Sequence, residues 1–338
     1  MTNQLRLQRL NGIGMKKNLL LLMAAVLSGV TTHAAVTFDW ASVGDPANAP
    51  DGTGYGSVAT TYRIATTEVN LIQYTEFLNV VDPNGLNPNS LYNGNMATDL
   101  NIAGISFTSG AAAGSKYAVI GSGLRPVTYV SWNDGARFVN WLQNGQGAGS
   151  TESGVYDMSL GTPTRSLTAG YWIPSENEWY KAAYYDPSVS GPSEDYWLYP
   201  TRSDSAPGNI VGAGANRANY NNGVYSVTQS SYDSNQNYLT DGGAFSGSPS
   251  FYGTYDQGGN VFEWNDTVIA GSSRGLRGGS WNFLAFGLRS SSSDLGDPTF
   301  ESNGVGFRVA SVPEPSTAML MVISGGAYLL VRRKRATL

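Results

Sequence analysis

Forty-two of the 338 residues are glycine and 15 are proline, with no internal repeat, and that density of turn formers confines regular structure to short pieces. The segments between them are rich in Ser, Asn and Tyr and poor in charge, since only 13% of the chain is Asp, Glu, Lys or Arg. Aromatic residues still make up 12%, which supplies a packed core and argues against disorder. The expected body is one loop-rich globule with short strands and a few helices. It has no cysteine, so packing, together with any bound ions, must hold its loops without disulfides.

The two ends set the compartment. From Met15 the chain runs Lys16-Lys17, an apolar stretch from Leu19 to Val30, then Thr31-Thr32-His33-Ala34-Ala35, the order of a secretory signal peptide cleaved after Ala34 or Ala35. The apolar stretch is too short to span a membrane, which takes about 20 residues. At the other end stand Val312-Pro313-Glu314-Pro315-Ser316, an apolar stretch from Ala318 to Val331, and Arg332-Arg333-Lys334-Arg335, a basic cluster that stays on the cytoplasmic side. This succession resembles the PEP-CTERM sorting signal of bacteria that make extracellular polysaccharide, which an exosortase-type peptidase cuts near the Pro-Glu-Pro. A plain C-terminal anchor would differ only in keeping the tail. The expected organisation is a signal peptide over 1–34, a body over 35–311, and a sorting signal with a short transmembrane anchor over 312–338. The protein is thus expected to be exported to the cell envelope, outer surface or extracellular matrix of a Gram-negative-type bacterium, touching the membrane only through its C-terminal anchor.

The leader and the stretch beyond Ser316 carry eight of the 20 basic residues and no acid, which leaves residues 35–316 with 12 bases against all 25 acids, a net charge of −13. Such a surface repels nucleic acid and suits calcium. The one histidine, His33, lies in the leader, so the mature body has neither imidazole nor thiol. That excludes Ser-His-Asp and Cys-His nucleophiles, and ordinary zinc, copper or haem ligation. Oxygen-ligand metals and carboxylate, hydroxyl or lysine chemistry remain, with Lys116 and Lys181 the only lysines of the body.

Three segments carry helix signals. Asn70 with Gln73 reads as a capping box, followed by Leu71, Tyr74, Phe77 and Leu78 on one face until Asp82-Pro83 ends it. Ser131 with Asp134 opens a second helix, which sends Phe138, Val139 and Leu142 toward a core. Pro174-Ser175 with Glu178 opens a third, through Trp179, Ala182 and Ala183, that ends before Pro187.

These segments belong to a longer set of motifs. Tyr62-Arg-Ile-Ala-Thr-Thr-Glu-Val-Asn70 with Gln73-Tyr74 and Phe77, Pro126-Val127 to Asp134 and on to Trp141-Leu142, Ile173-Pro-Ser-Glu-Asn-Glu-Trp179, Asp256-Gln-Gly-Gly-Asn-Val-Phe-Glu-Trp264, Leu276-Arg-Gly-Gly-Ser-Trp281 and Gly306-Phe-Arg-Val309 follow one another in that order. Together they resemble the formylglycine-generating enzyme, or sulfatase-modifying factor, domain over about residues 60 to 311, nearly the whole body. The resemblance implies an α+β fold of the C-type-lectin-like kind: a twisted antiparallel core, few helices and much irregular backbone.

The chemistry departs from the family. Its active members hold copper on two cysteines shortly after the Gly-Gly-Ser motif, and those positions fall here on Phe283 and Leu288, neither of which can ligate a metal. No copper is therefore expected, and the related iron branch needs histidines that this body lacks. The resemblance does imply structural calcium, held by the side chains of Asp256 and Glu263 and the carbonyls of Gly259 and Val261, unless Glu263 instead pairs with an arginine such as Arg277 or Arg308. A second family calcium site maps to Asn219, the Tyr220 carbonyl, Asp233 and the Asn235 carbonyl.

Glu176 and Glu178 read as members of a capping box, and Arg277, Arg289 and Arg308 as partners of acids. Trp132, Trp141, Trp172, Trp179, Trp264 and Trp281 read as core, with Trp40 and Trp197 free to stack on sugar rings. Two functions are open. One is a non-catalytic binding or matrix module that holds a peptide, polysaccharide or partner in a groove near Phe283 to Leu288. The other is an enzyme with carboxylate chemistry, as in glycoside hydrolysis, which requires two facing acids in a cleft.

Overall fold

A computed structural model describes residues 34–188 and 195–313. The chain divides into two units, 1–35 and 36–338, and nearly all the described residues belong to the second. The signal-peptide expectation over 1–34, the sorting motif beyond Pro313 and the apolar stretch 318–331 lie outside the described residues, apart from their inner edges. Among the described residues no helix is long and apolar enough to cross a membrane.

The three helices form where their caps place them. α1, Leu71–Val81, starts on Asn70, whose side chain accepts the Gln73 N–H while the Gln73 side chain accepts the Asn70 N–H. α2 is a single turn, Asn95–Thr98, without a side-chain cap. α3, Trp132–Gln143, has the same reciprocal box from Ser131 and Asp134, and α4, Glu176–Tyr184, has it from Ser175 and Glu178. Each box satisfies two backbone donors that the first turn would leave orphaned. A 3-10 turn, Ala285–Leu288, comes later in the chain.

Among the described residues ten short strands make three sheets: β1 (Trp40–Val43), β2 (Tyr62–Ala65), β3 (Ile105–Phe107), β4 (Tyr117–Val119), β5 (Tyr171–Trp172), β6 (Phe262–Val268), β7 (Arg274–Arg277), β8 (Asp294–Gly296), β9 (Val305–Phe307) and β10 (Ala310–Ser311). The first sheet has the order β1-β2-β10-β5 and is antiparallel throughout. β3 and β4 form a hairpin pair, and the third sheet has the order β8-β7-β6-β9. One pairing departs from the antiparallel expectation. β6 lies parallel to β9, Phe262 opposite Val305 and Trp264 opposite Phe307. β9 is thus the link between layers, since Val309 and Ala310 follow at once into the first sheet.

The core sits between the first sheet, β9 and the helices α1 and α3. Phe138 of α3 meets Phe77 of α1 edge to face at 5.3 Å and Phe307 of β9 at 5.5 Å, and Phe77 also meets Trp141 at 5.3 Å. All four side chains are buried. Aromatic burial on this scale, about 25 cal/mol per Å² of apolar surface, is what holds irregular segments without disulfides.

Candidate functional site: a polar cleft over buried carboxylates

β6 carries the centre of the site. Glu263 lies between Arg277 of β7 and Gly306 of β9, with no solvent exposure. Its carboxylate takes a two-pronged ion pair from Arg308, Nε to Oε2 and Nη2 to Oε1, both at 2.5 Å, and a third donor from Trp179 Nε1 at 2.7 Å. Arg308 in turn donates to the Ala65 and Tyr255 carbonyls at 3.0 Å, which ties the first sheet and the Asp256 loop to the same charge.

Two further carboxylates border this pair. Glu68, just before α1, is buried; its Oε1 accepts from Asn260 Nδ2 at 3.2 Å, and its Oε2 receives no hydrogen bond among the described residues. Burial, then the neighbouring Asp256, push the Glu68 carboxyl well above the usual carboxylate range. Asp256 sits in the left-handed region at φ 58° and accepts the Gly243 N–H on Oδ2 at 2.6 Å. Burial raises its pKa to about 6, against the pull of Gly243 and Arg308. Asp256 borders a narrow cleft with Pro200, Thr201, Arg217, Ser248 and Gln257, whose free volume of about 10 Å³ is room for a single water. Only Asp256 of the three acids reaches this cleft.

Glycines make the crossing beneath the cleft. Gly259 N–H donates to the Gly278 carbonyl at 2.8 Å, and Gly259 holds φ 86°. A Cβ on Gly259 would stand 2.1 Å from the Asn219 carbonyl oxygen, so no other residue fits. Asn260, φ 61°, is the hub: its side chain joins Glu68, Asn219 and Thr240.

The residues expected to hold calcium already have partners of the chain's own in this geometry. Glu263 does not suit a metal, because both oxygens already accept charged or dipolar donors and a guanidinium occupies the cation's place; the arginine alternative is what the geometry contains. Asp256 faces the cleft instead, and among the described residues no three acidic, histidine or cysteine side chains converge as metal ligands. Gly259 and Val261 are buried at the crossing. In the second set, Asn219 turns its amide to the Tyr238 carbonyl and Asn260, and the Tyr220 carbonyl accepts from Asn209 and Ser226. Asp233 and Asn235 are exposed, and Asp233 Oδ1 caps its own turn by accepting the Asn235 N–H at 2.9 Å.

At the family's two cysteine positions, Leu288 is fully buried against Gly279 and Gly258, and its carbonyl accepts the Tyr184 hydroxyl. Phe283 is 37% exposed, edge-on to Phe262 at 4.8 Å. With Leu284 and Phe286, each more than half exposed, it forms an apolar rim around the 3-10 turn.

Most of the remaining polar expectations fall in place. Glu178 closes the capping box and also takes Arg165 at 2.9 Å and Trp172 Nε1 at 3.0 Å, whereas Glu176 stands outside the box and pairs with Arg277 at 2.6 Å. Arg289 is a correction: it is exposed and donates to the Tyr199 hydroxyl, with no acid as its partner among the described residues. The six core tryptophans are buried, Trp40 lies under Arg63 at 5.0 Å, and Trp197 donates to Asp186 at 3.1 Å. Glu68 and Asn260 were missed as site residues. Both stand inside the motifs quoted above, but no local pattern marks them, since their burial and their partners come from segments distant in the chain.

Among curated proteins no match to this chain is found. Among solved structures it is similar to CarF, with 21% identity over 83% of this chain and 100% of that one at a TM-score of 0.49. It is also similar to variable protein 1 of Treponema denticola, with 19% identity over 83% and 98% of the two chains at a TM-score of 0.43. A third is PvdO from Pseudomonas aeruginosa, with 17% identity over 81% and 92% at a TM-score of 0.39. The family model of the sulfatase-modifying factor enzyme 1-like domain matches residues 53–312, and the chain belongs to that family.

Proposed function

We propose that this protein is an exported, non-catalytic member of its family that acts as a binding or matrix module at the cell envelope, sorted there by its C-terminal signal and an exosortase-type peptidase. The observation that carries this reading is the replacement of both family cysteines by Phe283 and Leu288, in a body with no thiol or imidazole. Leu288 fills the space between Gly258 and Gly279, and Phe283, Leu284 and Phe286 present apolar surface at the same place. Such a rim fits a peptide or polysaccharide partner better than a reaction. The test is selection of a displayed peptide library and a polysaccharide panel on the immobilised protein. Binders should be retained by the wild type and lost by the Phe283→Ser, Phe286→Ser double variant; equal retention by both would remove the rim from the account.

Asp256, with its pKa raised to about 6 in a cleft, is the one feature that favours carboxylate catalysis. Glycoside hydrolysis needs a second acid on the opposite side of the substrate, and Glu68 is sealed behind Asp256 at 2% exposure. Among the described residues that line this cleft Asp256 is the one carboxylate, and that favours binding.

A further inference from the structure

A ladder of aromatic rings leads from the buried Trp281 to the surface. Trp281 is buried, and Tyr238 stacks on it at 5.0 Å and 6°. Tyr232 continues the stack on Tyr238 at 6.0 Å and 20°, with Tyr225 tilted against both at 4.5 Å and 5.9 Å. Tyr232 is the outermost ring, 54% exposed.

An exposed tyrosine alone means little; this one is fixed. Its hydroxyl donates to Asn101 Oδ1 at 2.6 Å, and Asn101 is itself buried. The Asn101 amide donates to the carbonyls of Asp233 at 3.1 Å and Gln236 at 2.9 Å, and its carbonyl accepts the Tyr238 N–H. The Asp233 N–H donates to the Tyr238 hydroxyl at 2.6 Å. A five-bond clasp thus holds the whole turn 232–238, and the cost of ordering the ring is met in folding rather than on binding.

We propose that Tyr232 is a stacking platform for a neutral pyranose of a polysaccharide, with Asp233 and Asn235 as hydrogen-bonding partners for its hydroxyls. A ring with equatorial hydroxyls presents a face of C–H groups that carry partial positive charge, and the negative face of an aromatic ring attracts them. One side of Tyr232 is covered by Tyr238, so its exposed side accepts a single sugar. Asp233 commits Oδ1 to the Asn235 turn and keeps Oδ2 as an acceptor, and both side chains are exposed beside the ring. A carboxylate and an amide beside an aromatic face suit a neutral, hydroxyl-rich ring and repel polyanions. The ligand class is therefore a gluco-configured β-linked chain.

The experiment is calorimetric titration of the purified full-length protein with cellohexaose and with chitohexaose. At least one should bind the wild type. Tyr232→Ala should weaken it about tenfold or more, and Tyr232→Phe, which keeps the ring and loses the Asn101 clasp, only a few-fold. Thermal melts check that both variants are folded. Unchanged binding by folded Tyr232→Ala overturns the platform. A wild type that binds neither oligosaccharide, yet captures peptides through the Phe283 rim, also overturns it and leaves the binding-module reading standing.

Discussion

Glu263 and Arg308 are both fully buried, so removing either half strands a charge in the core. Such a loss costs about 3 to 5 kcal/mol. Glu263→Gln should therefore lower the melting temperature strongly, and by the same amount in calcium and in chelator, because the positive partner is the chain's own arginine. A chelator shift present in wild type and absent in the variant would restore calcium to the loop. Asp134 makes a second residue-scale prediction. Burial raises its carboxyl to about 7, against the Ser131 bonds of its own capping box. The folded state then holds a proton that the unfolded chain releases near pH 4, so this group's contribution is stabilising at low pH. It is lost as pH rises toward 7, by roughly 1.4 kcal/mol per unit. Asp134→Asn keeps the cap oxygen and should make the melting temperature fall less steeply between pH 4 and 7, the remaining slope coming from other raised carboxyls such as Asp256 and Asp266; an unchanged slope would clear Asp134. At this scale the sequence exposed the acids but not their partners. Glu263 had two candidate arginines, and only the parallel pairing of β6 with β9 brings Arg308 rather than Arg277 onto it.

The helices were legible because capping is local. Asn70 and Gln73, Ser131 and Asp134, Ser175 and Glu178 each settle their helix within four residues of chain. The strands were not, since pieces such as Tyr171–Trp172 and Ala310–Ser311 have two residues each and pair across more than a hundred. No periodicity can be read from two residues. The glycine crossing belongs to this scale as well. Gly259 and Gly54 share a left-handed backbone, φ 86° and 91°, but a Cβ at Gly54 meets nothing within 4 Å and one at Gly259 meets a backbone oxygen at 2.1 Å. Gly54→Ala should cost about 1 kcal/mol from backbone strain alone. Gly259→Ala should exceed about 3 kcal/mol or abolish soluble protein, because two loops must part. Similar melts for the two would show that the crossing yields easily.

The whole molecule combines a legible family pattern with a site whose partners only the three-dimensional arrangement shows. Six motifs in order gave the fold class, since each motif encodes a cap, a turn or a close approach. The motif at Asp256 to Glu263 also implied a metal, and there the three-dimensional arrangement puts a guanidinium on Glu263 and opens Asp256 to a cleft. Sorting is tested in the native host: released protein should end between Pro313 and Ser316, and an intact Arg332 to Arg335 cluster on envelope-bound protein would mean a permanent anchor. The central claim, that this family member binds and does not oxidise, has a direct measurement. Purified protein is incubated with copper, oxygen and a peptide bearing the sulfatase cysteine motif, and the product is read by mass spectrometry. With Phe283 and Leu288 at the cysteine positions no thiolate holds the metal, so the peptide should keep its cysteine. Formylglycine above a no-protein control would contradict the account.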